Sequence, residues 1–271
     1  MARWNILRWG ASLVFAALLG ALAVPAHAGR SCEQKAPTVA TLERGLELAA
    51  RTQAALDASG AEVVVLARAG QDLGKYHLRY SHLGFAYRQP TTAGGHVWRV
   101  LHKLNECGSS VAALYRQGLG EFFLDDLWRF EAAWVVPTPE VQARLRAVLA
   151  DPVRVVAMHQ RPYNLVAYPW SQKYQQSNQW AIETLAAAME PGIATRQAAQ
   201  AWLQFKGYAP SVLTIGPLTR LGGRVSAANV AFDDHPNEKR FADRIETVTV
   251  DSVFAWLKEA RLGGAPVVLR L

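Results

Sequence analysis

Apolar and polar positions alternate along the chain in two periods. Between residues 37 and 59 the apolar side chains Leu42, Leu46, Leu48 and Leu56 predict an amphipathic helix. Thr38 and Thr41 stand near its start, and Ser59-Gly60 ends it. Residues 62–68, EVVVLAR, predict a strand, and a turn over 70–74 follows. The aromatic and apolar residues from Tyr80 to Arg88 predict a second strand, stopped by Gln89-Pro90. A third strand runs over 97–105, with Trp98, Val100 and His102 on one face. The turn between these two strands is short, so they should pair as an antiparallel hairpin.

Residues 109–130 read as helical until Gly118-Leu119-Gly120, and 131–136 as a strand ended by Pro137. A helix over 139–149 and a strand over 151–158 come next. The stretch 161–188 is the densest in candidate chemistry. Its polar loop ends in Ser177-Asn178, which reads as a helix N-cap, and Trp180, Ile182, Leu185 and Ala186 continue with helical spacing. Beyond it the pattern predicts a helix over 195–207, a loop over 216–223 and a strand over 225–232. A solvated loop over 233–240, a strand over 245–250 and a last helix capped by Asp251 or Ser252 complete the chain. The expected fold class is α+β, an antiparallel sheet containing residues 62–68, 80–88 and 97–104 packed against the helix that begins near Ser177. No internal repeat or low-complexity segment interrupts it.

The N-terminus changes this picture. Arg3 and Arg8 precede an apolar run from Ala11 to Val24, and Ala26-His27-Ala28 is a small-x-small cleavage site. Residues 1–28 therefore read as a signal peptide, with a mature protein starting at Gly29 in the periplasm or outside the cell. A retained anchor helix is the alternative. Cleavage removes two arginines and no acids, taking the formal charge from +7 to +5. A hydrophobic content of 51% supports a packed core, so disorder is excluded. The basic excess is scattered, without the Lys/Arg block of a nucleic-acid binder, and suits anionic partners such as cell wall or lipid headgroups.

Cys32 and Cys107 are the only cysteines. In an exported chain they are expected to pair, closing a loop of about 75 residues worth on the order of 4 kcal/mol. A free thiol at Cys107 is the alternative. No cysteine or histidine spacing suits zinc or haem, so neither a metal nor a cofactor is expected. Asp125, Asp126 and Glu131, and His235 among its acids, read as capping or solvated groups.

Ser177 and Asn178 would stand where the unpaired N–H groups of a helix start converge, a place for a nucleophile, an anion or simply a cap. His82 opens the second strand, and Gly84, on its face, would allow close approach. His102 lies on the next strand. Tyr163 and Asn164 are candidates for lining the same cleft.

Two segments carry a family resemblance. YSHLGFAY, residues 80–87, is similar to the histidine strand of NlpC-type, papain-like hydrolases, and QQSNQWA, residues 175–181, resembles their nucleophile helix. Histidine precedes nucleophile here, the order of the circularly permuted branch that includes lecithin–retinol acyltransferase-like enzymes. With the segments RYSHLGFAYR, GLGEFFLDD and QQSNQWAIETLA, the whole chain resembles an uncharacterised proteobacterial family of exported proteins, domain of unknown function 2145. The resemblance implies a permuted papain-like core over 29–195, with an α/β extension over 196–271 packed on it. It also implies that His82 would deprotonate Ser177, that His102 would orient the imidazole, and that helix N–H groups would hold an oxyanion.

Ser177 occupies the family's cysteine position, and a hydroxyl is a far poorer nucleophile than a thiolate. The expected function is therefore an exported envelope protein with a papain-like cleft, non-catalytic or weakly active, binding peptidoglycan, lipid or a protein. Nucleic-acid binding and an integral span are not expected. A serine-type hydrolase or acyltransferase using Ser177 and His82 is one alternative. A purely structural envelope protein is the other.

Overall fold

Seven consecutive residues, Val63–Ala69, are buried on both strand faces, and the sheet grows outward from them. The computed structural model describes residues 36–125 and 127–271. The expected signal peptide, its cleavage site, Cys32 and Asp126 lie outside the described residues. Strand β1 (Val63–Ala69) pairs antiparallel with β2 (His82–Pro90) on one side and β5 (Arg129–Val135) on the other. β3 (His96–Asn105), β4 (Ala112–Gly118) and β8 (Val267–Arg270) complete a six-stranded antiparallel sheet of order β4-β3-β2-β1-β5-β8. The fold is α+β, as the two periodicities predict.

Helices cover both faces because alternate strand residues are apolar on both. One face carries Val64, Leu66, Ala86, Trp98 and Val100. Against it pack α1 (Val39–Ala58), capped by Thr38, and the short α2 (Leu119–Phe123). The other face carries Val63, Val65, Leu83, Phe85 and Leu101. It is covered by α3 (Pro139–Leu149), α5 (Ser177–Met189) and residues of α9 (Val250–Glu259). Helix α6 (Arg196–Phe205) packs behind α5. A separate two-stranded antiparallel sheet of β6 (Ser211–Thr214) and β7 (Arg244–Thr247) holds a small third cluster with Phe232.

Several expectations are corrected. Residues 112–118 form β4 rather than a helix, because the free edge of β3 supplies a ladder that outweighs the local preference of Ala112 and Ala113. Residues 152–157 form α4 (Pro152–Ala157) rather than a strand. Asp151 accepts from the N–H groups of Val153 and Arg154, and Pro152 occupies the first helical position. Residues 217–226 form α7 (Pro217–Ser226) by the same proline-first rule, displacing the expected loop and strand. In the polar run 233–240 the expected solvated loop gives way to the short α8 (Asn237–Phe241), and His235 is buried between Asp234 and the Glu246 carbonyl. The last helix is capped by Thr249, two residues ahead of Asp251, rather than by Asp251 or Ser252, in a reciprocal arrangement with Ser252. Cys107 is disulfide-bonded.

Candidate functional site

Helix α5 is buried along nearly its whole length, its polar residues Ser177, Asn178, Gln179, Glu183 and Thr184 included. Its first turn is fastened by side chains. Gln176, extended, is the N-cap in place of Ser177-Asn178. Its carbonyl oxygen accepts from the Asn178 N–H at 3.4 Å, and its amide donates to Thr247 Oγ1 at 2.8 Å and to the Val248 carbonyl at 2.5 Å. Asn178 Oδ1 accepts from the Leu83 N–H at 3.1 Å, tying the helix start to β2. Ser177 is thus the first helical residue. Its hydroxyl and N–H contact the Tyr163 phenol. Burial pushes that phenol up in pKa, and the contacts with Ser177 pull it the other way.

Around this helix start lies a cavity of about 430 Å³. Ser177, Asn178, Tyr163, Ser81 and Thr247 form its polar end, and Leu78, Val166, Leu213, Ile215 and Phe232 its apolar wall. Cavities of roughly 300–1,000 Å³ with few convergent polar groups are the usual small-ligand sites. The apolar wall comes largely from residues 211–232. Sequence reading could not place it there, because β6 and β7 meet only through tertiary pairing.

The two sequence-predicted histidines do come together. His82 Nε2 lies 2.8 Å from His102 Nδ1, and His102 Nε2 lies 2.8 Å from Gln117 Oε1. With Gln117 accepting from His102, the lone pair on His102 Nδ1 receives the His82 proton, and both rings are neutral. Close approach is allowed by Gly84, where a Cβ would stand 2.8 Å from His102 Cβ. Burial holds the His82 pKa well below its ordinary value, with Arg68 and His102 adding to the effect. His102 is lowered to about 4, chiefly by burial and then by Arg68.

The expected convergence with Ser177 does not occur. Both imidazoles pack against Phe122 of α2, with ring centroids 6.0 and 5.3 Å away. The residues between and beside them, Leu83, Phe85 and Leu101, point to the opposite face and meet α5. Strand alternation therefore puts the histidines and Ser177 on opposite sides of the sheet. Among the described residues no hydrogen bond joins Ser177 to either histidine. Neither His82 nor His102 lines the cavity.

Tyr163 and Asn178 line the cavity, and Asn164 does not. Asn164 is fully buried, donates to the Ala231 carbonyl at 2.9 Å and accepts from the N–H groups of Val166 and Ala231. It shapes the wall from behind.

A second buried polar group was not foreseen. Lys103, fully buried on the α5 side, donates to the Gln160 carbonyl at 2.6 Å and to Gln175 Oε1 at 2.8 Å. Burial lowers its pKa to about 7, the Arg196 charge works in the same direction, and Glu183 opposes both. Glu183 is itself buried and accepts from Arg196, Gln175, Gln179 and Gln200. The available signal was a charge within each apolar run, Lys103 beside Leu101 and Glu183 beside Ile182. No group of three or more metal-ligating side chains occurs among the described residues.

The model of an uncharacterised family of proteins conserved in bacteria, DUF2145, matches residues 55–257, and the chain belongs to that family. No curated protein and no solved structure matches the chain.

Proposed function

We propose, for this member of an uncharacterised bacterial family, that the chain is a non-catalytic binding protein of the cell envelope. Its ligand would be a small amphipathic envelope component. The carrying observation is the cavity at the start of α5, whose apolar wall faces a polar end built by Ser177, Tyr163 and Asn178. The apolar part of the ligand would lie along Val166, Leu213, Ile215 and Phe232. Its polar head would exchange hydrogen bonds with the Ser177 hydroxyl and the Tyr163 phenol.

The resemblance to NlpC-type hydrolases enters this reading as a scaffold only. A serine hydrolase needs a base within hydrogen-bond reach of its nucleophile, and the two histidines of the motif lie across the sheet. The group that does reach Ser177 is a phenol whose pKa is raised, which suits recognition rather than deprotonation. Export to the periplasm, read from residues 1–28, places the protein where such ligands occur. No described helix is long and apolar enough to cross a membrane.

The test is titration of the purified chain with anilinonaphthalene sulfonate, then displacement of the probe by phospholipids, fatty acids and peptidoglycan fragments. Saturable displacement by one class is expected, with loss in Val166→Trp, which fills the apolar wall. Labelling of Ser177 by a serine-reactive fluorophosphonate or an acyl-ester probe, or identical probe binding by Val166→Trp, would overturn the reading.

A further inference from the structure

Helix α7 lines the cavity with one side, and its two sides are chemically distinct. Thr219 and Gly223, one turn apart, line the cavity. On the outward side Leu218, Leu221 and Val225 are exposed by 85%, 61% and 81%. Their spacing of three and four residues places them in one stripe, and no described element covers it. The helix is held at its base by Arg220, which is buried and donates to the Asp243 carboxylate and to the Ile215 carbonyl at 2.5 Å each. The corner it grips, 241–243, carries a further exposed ring, Phe241. A rigid, anchored helix with an open apolar stripe buries nothing in the isolated chain, so its hydrophobic content serves a contact.

The unpaired arginines of the same segment select the partner. Arg224, in the last turn of α7, and Arg244, at the start of β7, are exposed and form no ion pair among the described residues. Arg240 stacks on Phe241 at 4.9 Å and has no carboxylate partner among them either. The nearby acids are occupied. Asp243 pairs with Arg220, Asp233 with Lys173 and Glu246 with Lys239, and Asp234 accepts from the Tyr168 N–H and lies against His235, which leaves Glu238 as the unpaired acid of the 211–246 segment. An apolar helical stripe with unpaired cations on its own helix and in the same segment matches the acyl and headgroup layers of an anionic bilayer.

We infer that α7 is a surface-docking helix that lays Leu218, Leu221 and Val225 into the interface of an anionic lipid bilayer, with Arg224, Arg240 and Arg244 against the headgroups. The helix does not span the bilayer. Docking brings the far side of the same helix, and with it the cavity, to the membrane surface. The inference concerns the outer side of α7 and stands whether or not the cavity ligand is itself a lipid.

Vesicle flotation tests it. The mature chain should float with phosphatidylglycerol-containing vesicles and much less with pure phosphatidylcholine, and raised salt should weaken the association. Combined Leu218→Ser, Leu221→Ser and Val225→Ser should cut partitioning by roughly tenfold or more, because the apolar contact dominates. Those side chains do not line the cavity, so binding of anilinonaphthalene sulfonate there should be unchanged. Arg224→Glu with Arg244→Glu, a variant that leaves the stripe intact, should abolish the preference for the anionic vesicles. Equal flotation of the serine variant and the parent chain overturns the inference. So does a concentration-dependent dimer that the serine variant abolishes while neither protein floats.

Discussion

His82 Nε2 stands 2.8 Å from His102 Nδ1, inside the layer between the sheet and Phe122, and both rings must be neutral there. Protonating either ring would bury a cation beside Arg68. The folded-state pKa values are depressed, so the unfolded chain binds protons first. Stability from this pair should be fully present above the ordinary histidine range, near pH 6.5, and fall as the pH drops from there toward about 4. Urea melts of the parent and of His102→Gln across that window test this. A variant with the same slope as the parent contradicts it.

Gly84 should be intolerant of any side chain. An added Cβ would meet His102 Cβ at 2.8 Å, the Leu101 carbonyl at 2.9 Å and Val100 Cγ1 at 3.1 Å. Two of these neighbours belong to the strand β3 backbone or sit directly on it, so they cannot yield without disturbing the ladder. Gly84→Ala should cost about 2 kcal/mol or more, read as a lowered denaturation midpoint.

Lys103 makes the opposite half of the pH curve steep. Its folded pKa of about 7 lies below the ordinary lysine value, so between those limits the unfolded chain holds a proton that the folded chain has lost. Stability should therefore rise as the pH rises from about 7 toward 10. In Lys103→Met that rise should disappear from denaturation profiles recorded over the same interval. Persistence of the slope would assign it to another group.

At the start of α5 the two neighbours should behave differently. Ser177→Ala removes a cavity hydroxyl but no cap and should change the melting temperature little. Gln176→Ala removes the cap and strips partners from Thr247 and Val248, and it should cost roughly 1–3 kcal/mol. Equal losses in the two variants would mean that Ser177 carries the helix start after all.

Local signals in the sequence determined most of the elements. The β-branched run 63–65, the stop at Pro90 and Thr38 at the start of α1 act through neighbours within a few residues, so a linear reading reaches them. Alternation along 82–88 and 96–104 was equally legible, and with it the hairpin that joins His82 to His102. The tertiary structure alone decided which sheet face each residue occupies relative to α5. Strand periodicity puts His82 and Leu83 on opposite faces but does not say which face the helix will cover. The Asn178 bond to the Leu83 N–H and the apolar contacts of Leu83 and Phe85 settle that choice. The helix goes to the larger apolar face, and the histidines are left on the other, beneath Phe122. The cavity wall is non-local for the same reason: Leu213, Ile215 and Phe232 reach Ser177 only because β6 finds β7 and the chain folds back over the start of α5. Burial of apolar surface drives both choices, and it depends on the sum over the whole core rather than on any window of the chain.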